Sequence, residues 1–257
     1  MCCGILMLKD FLSLFVTRHQ GALVGTLVMS LMTPMLHAEW KTEDFEVVPG
    51  WNAIYLHVDP SHETLELLVQ RTPVTQVWLW APSTSTAQFV TSVQDSTDFG
   101  SNWISWDSAD SANSNLQKFI GNAAYLVYVA TTYHDGVADQ TVSEAQPFTL
   151  SLTGKAVPPA YTWTASGQNF IGFSTRDGFE PSFENFFALA ETLDTSATEV
   201  YQYPGGELGS SNPLLVDAPV NTTVQRGSAY WIRDSDYNRF FGTFSLTLQD
   251  SDGVHFG

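Results

Sequence analysis

Cysteine is nearly absent from this chain: its 257 residues contain two, Cys2 and Cys3. Both stand inside an N-terminal segment that reads as an export leader. The chain beyond it is therefore expected to fold with no disulfide, no thiol nucleophile and no thiolate metal ligand. Basic residues are scarce as well. Ten Lys and Arg stand against 27 Asp and Glu, a net charge of −17. A field of that sign repels nucleic acid and anionic lipid, which removes both from the expected partners. The apolar stretch Gly21 to Leu36 is broken by Pro34 and falls short of the roughly 20 residues a membrane span requires, so no insertion is expected once the leader is removed. Catalytic signatures are also missing. There is no Gly-x-Ser-x-Gly elbow, His-Glu-x-x-His pair, phosphate loop or dinucleotide fingerprint, so no enzyme activity and no catalytic residue is expected. Four histidines follow the leader, His57, His62, His134 and His255. The second half has no histidine where His57 and His62 would recur, which leaves a zinc site without support.

The leader is expected over residues 1–38. Lys9 and Arg18 supply its positive charge, and Leu36-His37-Ala38 ends on the small residue a signal peptidase needs before Glu39. The remaining 219 residues carry eight basic and 26 acidic side chains, net −18, and are long enough for one large core or two modest ones. At the other end Asp250-Ser251-Asp252-Gly253 is a turn signal. Residues 251–257 are expected to begin a following β domain.

The body of the chain is written twice. Gly50-Trp51-Asn52-Ala53-Ile54 returns as Gly167-Gln168-Asn169-Phe170-Ile171, and Asp59-Pro60-Ser61 as Glu180-Pro181-Ser182. Val77-Trp78-Leu79-Trp80 returns as Val200-Tyr201-Gln202-Tyr203, Ala124-Tyr125 as Ala229-Tyr230, and Leu150-Ser151-Leu152-Thr153 as Phe244-Ser245-Leu246-Thr247. Landmarks in one order, twice over, point to an internal repeat, with a first copy over 39–160 and a second over 161–250. Asn52, Asn169, Tyr125 and Tyr230 are its structural landmarks. A strand-start asparagine that bonds nearby backbone accounts for the first pair.

Each copy opens with a period-two strand. Asn52, Ile54, Leu56 and Val58 fall on one face, with Trp51, Ala53, Tyr55 and His57 on the other. A proline after an acidic residue then predicts a helix start at Pro60 and at Pro181. The helix is short in the first copy (Leu65, Leu68, Val69) and carries a longer apolar stripe in the second (Phe183, Phe186, Phe187, Ala190, Leu193). Arg233 shares parity with Trp231, which predicts Tyr230 and Ile232 inward and Trp231 outward. The expected fold is mainly β, a β-rich α+β arrangement of two tandem repeats, each an antiparallel sheet with one short helix.

The first copy is the longer one, and what it adds is the better place to look for function. Trp103 and Trp106, with Trp78, Trp80 and Asp107, form the densest aromatic group in the sequence. Tryptophans beside carboxylates are what a polysaccharide or cell-surface glycan would need, a ring against the apolar side of a pyranose and oxygens for its hydroxyls; the competing reading puts the same rings in the core. Asp234, Asp236 and Asn238 are a candidate calcium site, although Arg239 stands where the tight-turn glycine of such a loop belongs.

Through Gly50-Trp51-Asn52-Ala53-Ile54 with Ala124-Tyr125, and Gly167-Gln168-Asn169 with Gly227-Ser228-Ala229-Tyr230-Trp231-Ile232, residues 45–249 resemble the repeated "GWN…(A/G)YW" module of large secreted or cell-surface proteins of environmental bacteria. Gln168 and Leu126 depart from its tryptophans. The resemblance implies a secreted or surface-bound structural or adhesive module among further domains of the same protein, with no catalytic residue to carry over. The alternative is the accessory N-terminal region of an extracellular hydrolase whose catalytic domain follows residue 257.

Overall fold

The computed structural model describes residues 40–81, 103–159, 167–175, 178, 180–188, 199–218, 220–234, 248–249 and 255–256. The expected leader lies outside them, and no helix among the described residues is long and apolar enough to cross a membrane. Glu39–Gly257 forms one compact unit. It is mainly β, built of antiparallel sheets with few short helices.

Three sheets carry the architecture. The first joins β1 (Trp40–Val47), β9 (Phe148–Ala156) and β3 (Val58–Asp59) in the order β1-β9-β3. The second is made of β2 (Gly50–Tyr55), β6 (Ala124–Val129), β4 (Val74–Trp80) and β5 (Trp103–Asp107), ordered β2-β6-β4-β5. The third has β10 (Gly167–Gly172), β13 (Ala229–Asp234), β11 (Val200–Gln202) and β12 (Leu214–Leu215), ordered β10-β13-β11-β12. Two short antiparallel pairs complete the described strands, β7 (Thr132–His134) with β8 (Asp139–Thr141), and β14 (Leu248–Gln249) with β15 (His255–Phe256).

The second and third sheets agree residue by residue. Asn52 lies opposite Val127 and Ile54 opposite Tyr125; Asn169 lies opposite Ile232 and Ile171 opposite Tyr230. On the far side of each inner strand Val77 meets Val127 and Trp78 meets Leu126, as Val200 meets Ile232 and Tyr201 meets Trp231. The tyrosine hydroxyls recur too. Tyr125 Oη accepts the Ile120 amide at 2.8 Å and Tyr230 Oη the Gln225 amide at 2.9 Å, each five residues upstream. A left-handed residue follows in both loops, Asn122 at φ 56° and Gly227 at φ 77°, where glycine and asparagine are the residues that tolerate positive φ.

Asn52 shows why such positions recur. Its Oδ1 accepts the Val48 amide at 3.0 Å, and its Nδ2 donates to the Val48 and Gly50 carbonyls at 2.8 and 3.0 Å. The side chain thereby closes the turn between β1 and β2, at about 0.5–1.5 kcal/mol per bond. Asn169, in the matching place, is buried as well.

The helices start later than the prolines predict. Helix α1 spans Leu65–Val69 behind the cap Thr64, whose hydroxyl accepts the Leu67 amide; α2 spans Phe183–Phe187 behind Ser182, which accepts the Asn185 amide. Asp59 Oδ1 is engaged by the Ser61 amide at 3.0 Å, which makes Pro60 part of a turn, and Pro181 precedes the cap. A hydroxyl that can bond the third amide onward wins over a proline as the start signal. For both helices the first amide is tied to the loop before the inner strand, Leu65 to Gln117 O at 2.9 Å and Phe183 to Thr222 O at 3.0 Å. Ala190 and Leu193 of the predicted second stripe lie outside the described residues.

Burial follows the parity of β2 on both sides. Ile54 and Leu56 join Val77, Tyr125, Val127 and Val129 in one core, covered by Leu65 and Val69 of α1 and by Phe45, Val47, Leu150 and Leu152 of the first sheet. Trp51, Ala53 and Tyr55 join a second core with Phe170, Ala229 and Trp231 of the third sheet, and Phe183, Phe186 and Phe187 of α2 close that core beyond it. The middle sheet is thus covered on both faces.

Candidate functional site

The face that the middle sheet turns to the third is aromatic. Trp51, Trp78, Trp80 and Trp103 share it: Trp80 lies opposite Trp103 and two residues from Trp78, and Trp51 lies opposite Tyr128, two residues from the Leu126 that pairs with Trp78. From the other side Phe170 and Trp231, directly opposite each other in β10 and β13, meet them. Trp80 stands edge-on to Trp231 at 4.9 Å, Trp103 edge-on to Phe170 at 5.5 Å, and Phe170 lies tilted at 4.8 Å against Trp231. Such perpendicular and tilted arrangements set the positive edge of one ring on the negative face of another, about 0.5–1.5 kcal/mol per pair beyond the area they bury. Trp231 Nε1 donates to the Tyr203 hydroxyl at 2.7 Å. Tyr203 is half-buried, and burial holds its phenol pKa well above the ordinary value, an effect the Trp231 donor partly offsets.

Trp231 is therefore not on an outward face. It is fully buried, and only Arg233, at the end of the same row, reaches solvent, where it pairs with Glu199 at 3.5 Å. The parity was right; the cover came from the middle sheet.

The candidate ligand residues part company. Trp106 is opposite Val77 and buried in the core beneath α1, on the face away from Trp78, Trp80 and Trp103. Those three are half-buried and packed on the core of the third sheet. Asp107 caps the short 3-10 helix Ser108–Asn113: its Oδ1 accepts the Ala109 amide at 2.8 Å, and its Oδ2 accepts Gln76 Nε2 at 3.2 Å. The Ser/Asp/Asn-rich insertion after it returns along the free side of β5, where Asn115 Oδ1 accepts the Ser105 amide at 2.7 Å and Leu116 N donates to Ser105 O at 3.0 Å. That covers an edge that would otherwise be open to pairing with another chain. Of the candidate calcium residues, Asp234 ends β13, while Asp236 and Asn238 lie outside the described residues.

Three polar elements that the sequence did not single out complete the seam. Gly206 lies across the outer edge of β2: its carbonyl accepts Trp51 N at 2.7 Å and its amide donates to Pro49 O at 2.9 Å. Asn212, fully buried, donates to the Gly206 and Trp51 carbonyls at 2.8 and 3.0 Å. Glu43 on β1, also buried, accepts the His57 amide at 2.8 Å and pairs with Arg226 at 3.1 Å; Arg226 in turn donates to Thr175 O at 2.8 Å. At the mouth Tyr128 Oη lies 2.7 Å from Glu207 Oε1, and this bond to a carboxylate raises the phenol's pKa. The Tyr230 phenol is pushed up to about 12, chiefly by burial.

Comparison with known proteins leaves the reading to the geometry: no family model matches the chain, and no curated protein or solved structure matches it.

Proposed function

We propose that the chain is a non-catalytic structural and adhesive module of an exported protein, arisen by tandem duplication, in which the two copies pack as one rigid block. The observation that supports this reading is where the chemistry-bearing side chains are engaged. Asn52, Asp107, Tyr125, Tyr230 and Asn212 all bond main-chain groups, and Trp80 and Trp103, two of the tryptophans expected to face a sugar, pack against Trp231 and Phe170. Residues bonded this way set backbone geometry. A rigid block with few basic groups suits a spacer exposed to the outside of a cell.

Export through the leader places the start of the mature chain at Glu39. N-terminal sequencing of the protein recovered outside the producing cell reads Glu-Trp-Lys; an uncleaved chain held inside would refute export.

Trp80 and Trp103 separate a framework from a ligand platform. Replacing either with alanine is expected to lower stability by about 2–3 kcal/mol in urea unfolding, less than for a fully buried tryptophan because each keeps some exposure. Variants as stable as the parent that had lost retention on a polysaccharide would make these rings a binding platform instead.

A further inference from the structure

Beyond the packed rows of the seam, one row of the middle sheet reaches its open end. The register fixes it as Trp51, Tyr128, Gln76 and Asp107, each opposite the next. A shift in pairing between Val74 and Gln76 brings Gln76 into this row, as bulges commonly do where a side chain is re-aimed. In the third sheet the matching row is Gln168, Arg233, Glu199 and, counting on from Leu215, Asp217. The rows that touch across the seam are apolar or aromatic in both sheets, Ser105 at the edge aside. The row at the mouth is the one whose character changes, from two aromatics with an amide and a carboxylate to a surface ion pair.

The first-copy row is held in place before any partner arrives. Trp51 stands edge-on to Tyr128 at 5.2 Å and to Trp78 at 4.8 Å. Gln76 is bonded to Asp107, and Tyr128 to Glu207. Trp51 itself is buried, Tyr128, Trp78, Gln76 and Asp107 are half-buried, and Glu207 is exposed. Asp107 serves the fold by capping the short 3-10 helix, but packing asks for neither Gln76 nor Glu207. Half-exposed rings with oriented amide and carboxylate groups match one kind of surface, a sugar ring with a C–H face and a rim of hydroxyls. Fixing the groups beforehand removes part of the ordering cost of binding. The chain's net charge of −17 disfavours anionic polymers.

We propose that this row is a subsite for a neutral polysaccharide, with Tyr128 and the exposed part of Trp78 forming the floor and Gln76 and Glu207, the one held by Asp107 and the other by Tyr128, bonding its hydroxyls. The inference rests on the adhesive reading above and gives that reading a ligand class.

The test incubates the full chain with four insoluble neutral polysaccharides: cellulose, chitin, starch and a β-1,3-glucan. At least one is expected to retain it. Gln76→Ala and Glu207→Ala are each expected to weaken that retention at least tenfold with the unfolding midpoint unmoved, and Tyr128→Ala to weaken it at least as much. Glu199→Ala and Arg233→Ala, at the matching row of the other sheet, are expected to bind like the parent. Retention by none of the four, retention unaffected by Gln76→Ala and Glu207→Ala, or equal loss in Glu199→Ala would each overturn the subsite. None of these results alters the unfolding behaviour on which the rigid-block reading depends, so the two fail separately.

Discussion

Trp231→Ala is expected to remove about 3–5 kcal/mol of stability, the range for deleting a fully buried aromatic side chain. The site has little capacity to collapse. Trp231 is enclosed by Phe170 on its own sheet and by Trp80 and Trp103 on the middle one, so relaxation on one side opens a gap on the other. The Tyr203 hydroxyl also loses the donor it has at 2.7 Å. Trp231→Phe restores most of the volume without the N–H and is expected to cost less, about 1–3 kcal/mol, the price of leaving that hydroxyl without its partner. Against a typical total of about 5–15 kcal/mol, the alanine variant is close to unfolding. Urea midpoints of the two variants check the order; a Trp231→Ala protein within about 1 kcal/mol of the parent would mean that the seam is not what joins the sheets.

Gly50→Ala is expected to be comparably severe, for a different reason. Gly50 has φ +90°, and a methyl group there would meet the Gly206 carbonyl carbon at 2.4 Å. Backbone cannot swing aside as a side chain does. Moving Gly206 would strain or break its bonds to Trp51 N, Pro49 O and Asn212 Nδ2. Strain of about 1–3 kcal/mol at the glycine, with weakened hydrogen bonds of about 0.5–1.5 kcal/mol each, gives roughly 3–5 kcal/mol. Gly206→Ala is the control, because Gly206 also has positive φ, +89°, but its added methyl would meet nothing within 4 Å. It should show the conformational cost alone, about 1–2 kcal/mol. Equal midpoints for the two variants would remove the close approach as a source of stability.

How far the sequence discloses this structure can be judged from single residues. Asn52 and Tyr125 were legible because their partners lie within five residues, and a local bond leaves a local trace, which recurs at Asn169 and Tyr230. Strand faces were legible from parity. What covers each face was not: the cover of Trp231 comes from Trp80 and Trp103, more than 120 residues away, and alternation does not say whether a second face is wet. The same limit hid Gly206 and Asn212, which reach the main chain of Trp51 more than 150 residues away. Asp107 misled because a cap and a ligand group share one chemistry, and only the position of the Ala109 amide tells them apart. In the mouth row the aromatic Trp51 was visible, but Tyr128, Gln76 and Glu207 gain meaning only from register and from a loop of the second copy.

An aromatic seam that makes one folding unit of two sheets has a signature in native-state hydrogen exchange. Amides of the inner strands β6 and β13 should open with the same free energy, equal to that of global unfolding, and Trp231→Ala should lower both together. If β13 opened well below β6, or if the substitution lowered β13 and left β6 where it was, the sheets would be separate folding units that the seam does not join.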